Sequence, residues 1–180
     1  VVFLTVATNF RLKGIAELIA AFSKWMDRSH PTVPIRLVVV GRELVEGYQR
    51  MASLRNIAPI TVFVPPVENI HEWYAAADAC VLLSWYDPCS RVVLEATRWG
   101  IPSLTTESNG ASEVLAACGG GVVVESPKDT PGIVAGLDAL ADPARREEMA
   151  AACRATADTL GMDRHVDQLL DVYREAQART

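Results

Sequence analysis

Six short apolar runs, each followed by a segment of helical character, fix the class of fold open to this chain. They are Val1 to Ala7, Ile35 to Val40, Ile60 to Val64, Ala79 to Leu83, Ile101 to Thr105 and Val122 to Val124. The run Ile35 to Val40, bounded by Pro34 and Gly41, is apolar almost without interruption. Such a run suits a strand covered on both faces rather than one with a wet side. The segments between are helical: Gly14 to Arg28, Val45 to Arg55, Asn69 to Ala76 with Asn69 as its cap, Ser90 to Gly100, and one opening near Ala111. Three more follow the last strand, at Asp129 to Leu140, Pro143 to Leu160 and Asp163 to Ala178. In the first of the helical segments, Ile15, Leu18, Ile19, Phe22 and Met26 recur at helical spacing. Strand alternating with helix predicts an α/β fold, a doubly wound parallel six-stranded sheet with helices on both faces. A strand order of 3-2-1-4-5-6 would set the first and fourth strands side by side, with the ligand at the strand C-terminal ends where the order reverses.

At 180 residues the chain supports one well-cored domain. Half its residues are apolar, which excludes a disordered chain. A net charge of −5 argues against a nucleic-acid surface, which needs a basic patch. No apolar run approaches the roughly 18 residues of a membrane helix. Cys80, Cys89, Cys118 and Cys153 form no Cys-x-x-Cys pair and have no histidine cluster beside them. That pattern fits neither a zinc site nor a disulfide framework, and points to a reducing, cytoplasmic setting. No metal-ligand set is visible and no cofactor is expected.

The chemistry concentrates between Ser84 and Glu113. The fourth strand ends in a polar turn carrying Asp87 and Pro88, and a helix opens near Ser90 and stops at Gly100, a residue suited to a helix C-terminus. The first amides of a helix have no intrahelical partner and carry partial positive charge, so Cys89, Ser90 and Arg91 would present an anion site. Asp87 before the helix and Glu95 within it are acceptor-only groups when ionised, suited to sugar and ribose hydroxyls. Bare amides between two such acceptors match a diphosphate with a sugar on each side. Taken alone, an Asp and a Glu at this spacing fit an ordinary polar turn and a solvated helical glutamate better than a binding site. A second loop, Thr106 to Gly110, ends beside the first, and Asn109 and Gly110 would approach the same ligand. Glu113 fits a first-turn carboxylate as well as a ligand group.

The loop after the first strand, Asn9-Phe10-Arg11-Leu12-Lys13-Gly14, carries two cations toward the Asp87 turn. Arg11 would hold a phosphate bidentately and Lys13 would add a point charge, together offsetting charge on a departing diphosphate. Cations at a helix start otherwise oppose its dipole. The alternative is an ordinary solvated pair.

Asp87-Pro88-Cys89-Ser90-Arg91-Val92-Val93-Leu94-Glu95-Ala96 resembles the donor-binding signature of retaining glycosyltransferases of family 4, an acid, seven residues and a glutamate, commonly Glu-Pro-Phe-Gly followed by an apolar pair and Leu-Glu-Ala. Gly100-Ile101-Pro102 and Thr105-Thr106 fit the same pattern. Asp replaces the first Glu and Cys-Ser replaces Phe-Gly. The family usually has an arginine five residues before the lysine, where this chain has Thr8, with Arg11 as a substitute. Gly41-Arg42 resembles the family's Val-Gly turn near the nucleotide, and Val64-Pro65-Pro66-Val67 stands where the family contacts the base.

The resemblance implies the Rossmann-like, C-terminal half of a GT-B fold over the whole chain, a fragment whose N-terminal acceptor-binding half is absent. It implies a nucleotide-sugar donor as substrate and transfer of a sugar to an acceptor hydroxyl with retention. Asp87 would hold sugar hydroxyls, Glu95 ribose hydroxyls, the amides of Cys89, Ser90 and Arg91 the diphosphate, and Arg11 and Lys13 the leaving group. The metal-independent chemistry usual for the class agrees with the missing metal set. Residues 161–180 would pack on the absent half, or be partly exposed and support a homodimer. Peripheral association at the inner membrane face fits a full-length enzyme of this kind. A catalytically inactive binding module and a sugar-nucleotide epimerase are the alternatives. A nicotinamide oxidoreductase would need Gly-x-Gly-x-x-Gly after the first strand, and Thr8 to Gly14 lacks it. Trp85 and Tyr86 are expected to pack in the core, with packing beneath the site or contact with the sugar as the alternatives.

Overall fold

In the computed structural model, which describes residues 1–179, the apolar runs form β1 (Val2–Ala7), β2 (Arg36–Gly41), β3 (Thr61–Val64), β4 (Ala79–Leu82), β5 (Ser103–Thr106) and β6 (Gly121–Val124). They make one six-stranded sheet in the order β3-β2-β1-β4-β5-β6, parallel at every pairing. The order is the one expected from the alternation of elements, and β1 lies beside β4 with Phe3 opposite Ala79.

Side-chain alternation along the strands divides the core in two. Phe3, Leu37, Val39, Val81 and Leu104 face α1 (Ile15–Ser29), α2 (Glu46–Leu54) and α6 (Thr130–Ala141). Their neighbours Leu4, Val38, Val40, Cys80 and Leu82 face α3 (Ile70–Ala76), α4 (Arg91–Arg98) and α5 (Ser112–Cys118). A strand with both faces covered must be apolar at consecutive positions, which explains the uninterrupted run in β2. The first layer is anchored by Phe3, Phe22 and Trp25, all fully buried, with ring centroids 5.2 to 5.5 Å apart in edge-to-face pairs.

Two local expectations change. The helix expected from Pro143 to Leu160 ends at Thr156 as α7 (Pro143–Thr156) and tightens into a 3₁₀ turn at Ala157–Leu160. Thr156 Oγ1 bonds back to the Ala152 carbonyl and Thr159 Oγ1 donates to the Thr156 carbonyl, so hydroxyls compete with the helical ladder there. Asn69 stands at the start of α3, but its side chain donates to Glu72 Oε1 at 2.6 Å and takes no backbone amide. The last helix, α8 (Met162–Ala178), has no buried residue. Among the described residues, no helix is long and apolar enough to cross a membrane.

Candidate functional site

The C-terminal ends of β1, β2 and β4 floor a cleft of about 690 Å³ at the point where the strand order reverses. Two glycines set its shape, Gly41 in the lining and Gly14 behind it. A Cβ at Gly41 would stand 1.7 Å from the Ala7 carbonyl oxygen, so any side chain there would push β2 off β1. Gly14 is left-handed at φ 64°, and a Cβ on it would lie 2.1 Å from the Leu83 carbonyl oxygen. This close approach lays the β1–α1 loop against the end of β4, and Trp85 N donates to the Leu12 carbonyl at 2.9 Å across the seam.

That contact decides where the two loop cations go. Residues 10–14 form a tight turn, with Lys13 N bonded to the Asn9 carbonyl, Ile15 N to the Phe10 carbonyl and Leu12 N to Asn9 Oδ1. Residues two apart in a helical turn do not share a face. Lys13 points into the cleft and meets Asp87, Nζ to Oδ2 at 2.5 Å, with both side chains largely shielded from solvent. Arg11 does not line the cleft. It lines a neighbouring hollow of about 590 Å³ with Tyr48, Trp85 and Lys128. Thr8 lines the cleft itself, and the cations beside Lys13 there are Arg42 and Arg91.

Asp87 is held by the facing loop. Its N–H donates to the Ser108 carbonyl and its carbonyl accepts from Gly110 N at 2.9 Å. The helix that follows, α4, makes its first backbone bond from Leu94 N to the Ser90 carbonyl, so the amides of Arg91 and Val92 at the cleft wall have no helical acceptor. The Ser90 amide is different. It donates to Asn109 Oδ1 at 3.2 Å and is already spoken for. Cys89 is exposed at the cleft rim. Deeper in α4, Glu95 reaches the cleft, and its Oε2 accepts a bond of 2.9 Å from the hydroxyl of Tyr74 on α3. Pro66, Val67 and Ile70 close the side next to β3, where the turn after the third strand was expected to meet a base.

The structure therefore gathers Lys13, Gly41, Arg42, Asp87, Cys89, Ser90, Arg91 and Glu95 on one surface. Pro88, Asn109 and Gly110 stand behind it. Asn109 is fully buried, accepts from Ser90 N and Ala111 N, and donates to Thr105 Oγ1 at 3.0 Å. A Cβ at Gly110 would lie 2.0 Å from the Pro88 carbonyl oxygen, so this glycine serves loop-to-loop packing. Glu113 is exposed in the first turn of α5 and lies off the cleft. Trp85 and Tyr86 are not core residues, and neither lines the cleft. They are 37% and 64% exposed, because the chain turns outward after Ser84, and Lys128 Nζ sits 5.3 Å over the Trp85 ring. Sequence reasoning missed Tyr74. The available signal was a phenol next to Trp73 at the end of a short helix that leads into a buried strand.

A doubly wound parallel sheet with an anion-accepting helix start and flanking carboxylates at its switch point defines a nucleotide-site class of α/β domain. Within that class the chain belongs to the glycosyl transferases group 1 family, whose model matches residues 1–156. It is 35% identical over 140 residues to a D-inositol 3-phosphate glycosyltransferase of Thermomonospora curvata, an alignment covering 76% of this chain and 32% of that protein. It superposes on WaaG, a glycosyltransferase involved in lipopolysaccharide biosynthesis, with a TM-score of 0.80 and 27% identity, over 88% of this chain and 42% of that one. The fold is also that of Anabaena HepE, solved in complex with UDP, at a TM-score of 0.81 and 18% identity, over 97% of this chain and 48% of that one. The chain spans about a third to two fifths of the length of the curated relatives it matches. The fold expected from the resemblance, the C-terminal domain of a GT-B enzyme, is the fold observed.

Proposed function

We propose that this chain is the donor-binding half of a retaining glycosyltransferase that moves a sugar from a nucleoside diphosphate to an acceptor hydroxyl. One observation carries the reading: a single cleft holds the Asp87–Lys13 pair at one end, Glu95 at the other, and the free amides at the start of α4 between them. The 18%-identical HepE holds UDP, which supports the ligand class. Glu95 takes ribose hydroxyls, and the amides of Cys89, Arg91 and Val92 take the diphosphate. Asp87 takes sugar hydroxyls. Lys13, held beside Asp87, offsets the charge that grows on the diphosphate as the glycosidic bond breaks, and the acceptor oxygen attacks from the face the diphosphate leaves. Arg42 and Arg91 are the further cations in reach, in place of Arg11. The acceptor half lies in the part of the relatives that this chain does not span, so the chain alone binds donor and transfers nothing. The full protein works in the cytoplasm.

Calorimetric titration of UDP, GDP and ADP into the chain, beside Glu95→Ala, tests this. Saturable binding of one nucleotide, weakened at least tenfold by the substitution (about 1.4 kcal/mol), is the expected result. Binding of none overturns the donor-cleft reading. Transfer by the 180 residues alone would refute the claim that the acceptor half is needed. The placement of Arg11 outside the cleft, with Thr8 inside it, favours a second reading, a binding module without catalysis. Slow hydrolysis of a nucleotide-sugar by the full-length protein separates the two, since a pure binding module leaves the donor intact.

A further inference from the structure

Of the cleft's two carboxylates, Glu95 is tied to the wall behind it. Glu95 Oε2 accepts from the Tyr74 hydroxyl at 2.9 Å, while among the described residues Oε1 has no donor. Tyr74 is 1% exposed, and its ring is fixed among Leu4, Val38, Val40, Cys80 and Ala96 between the sheet and α4. A phenol buried this way donates from one position. The helical carbonyl of Val92 lies 3.5 Å from the same hydroxyl, a longer alternative acceptor, so the proton goes to the carboxylate. Burial first, then the proximity of the Cys80 thiol and of Glu95, pushes the Tyr74 hydroxyl far above the usual phenol range, so it stays a donor at every working pH.

We propose that Tyr74 is the positioning residue of the donor site: its hydroxyl holds one oxygen of Glu95 against α3 and aims the other at the vicinal ribose hydroxyls of the nucleotide. This rests on the donor-cleft reading and adds to it a source of selectivity for ribose over deoxyribose. An O–H to carboxylate bond is stronger than a neutral one and keeps its direction. It also settles the rotamer of a flexible side chain before the ligand arrives, so less conformational freedom is lost on binding. Removing the hydroxyl frees Glu95 without removing its charge. The loss therefore falls on ligands whose ribose hydroxyls Glu95 must meet, and spares ligands that lack them.

The test is calorimetric titration of the nucleoside diphosphate that binds best, and of its 2′,3′-dideoxy analogue, into the wild-type chain, Tyr74→Phe, Glu95→Ala and the double variant. Tyr74→Phe is expected to weaken the ribonucleotide about fivefold, to leave the dideoxy analogue unchanged, and to add nothing in the Glu95→Ala background, where the hydroxyl has no carboxylate left to hold. The unchanged dideoxy affinity doubles as the check that the cleft is folded. Equal losses for both ligands, or additive losses in the double variant, would reduce Tyr74 to core packing and overturn the proposal. So would an unchanged ribonucleotide affinity in Tyr74→Phe when Glu95→Ala still weakens it. If Glu95→Ala itself fails to separate the two ligands, the ribose role of Glu95 is wrong and the positioning role falls with it, a result distinct from a failure of Tyr74 alone.

Discussion

At the scale of single residues, the cleft is shaped from behind as much as from its surface. Asn109 shows how. Its amide group ties three segments at once: the Ser90 amide before α4, the Ala111 amide before α5, and the Thr105 hydroxyl at the end of β5. Asparagine supplies both an acceptor and donors from one planar group, which no other small side chain does. Asn109→Ala leaves two buried amides without their acceptor, at a cost of about 2 to 3 kcal/mol. Urea unfolding should show that loss, with weaker nucleotide binding although the residue touches no ligand. Asn109→Asp keeps the acceptor and loses the donor to Thr105, so it should fall between. An unchanged unfolding free energy in Asn109→Ala would mean that the loops are held by their backbone bonds alone. From sequence, an asparagine before a glycine in a ligand loop looks like a contact residue. Its inward direction follows from the parallel bridge that pairs Asp87 with Asn109, a tertiary fact with no local signature.

At the scale of elements, the strands were legible because burial on both faces demands consecutive apolar residues, and a parallel sheet leaves no other pattern for them. The helices were legible from their stripes. What escaped was competition near their ends, where the hydroxyls of Thr156 and Thr159 cut α7 short. The packing of α1 on α6 was equally hidden. There the fully buried Trp25 donates through Nε1 to Asp138 Oδ1 at 2.6 Å, and Ser29 Oγ donates to the same oxygen at 2.6 Å. A charged residue inside an apolar helix such as α6 reads as a solvated position until its partner, more than a hundred residues away, is known. Asp138→Ala strands a buried indole N–H and is expected to cost about 1 to 3 kcal/mol. Asp138→Asn keeps an acceptor oxygen and should cost less. Denaturant unfolding of the two variants orders them, and equal losses would show that the charge rather than the accepting oxygen matters.

At the scale of the whole molecule, α8 stands apart, with no buried residue along its length. Met162, Val166, Leu169, Leu170 and Tyr173 recur at the spacing of one helical stripe, and each is at least 41% exposed. A contiguous apolar stripe of this kind marks a partner surface. The relatives are more than twice as long as this chain, and α8 contributes nothing to the cleft, so under the donor-half proposal the stripe would belong to a contact with the acceptor-binding half. On that proposal, the apolar area of α8 is left without its partner when the chain is alone and is free to pair with a second copy. Sedimentation velocity is therefore expected to show concentration-dependent dimerisation of the chain. The variant Val166→Glu with Leu169→Glu should be monomeric, because charge on the stripe cannot be buried against its own copy. The same variant should titrate with nucleotide as the wild type does, since the cleft lies elsewhere. A wild-type chain that stays monomeric at high concentration would count against α8 as an interface and leave its apolar stripe to some other partner.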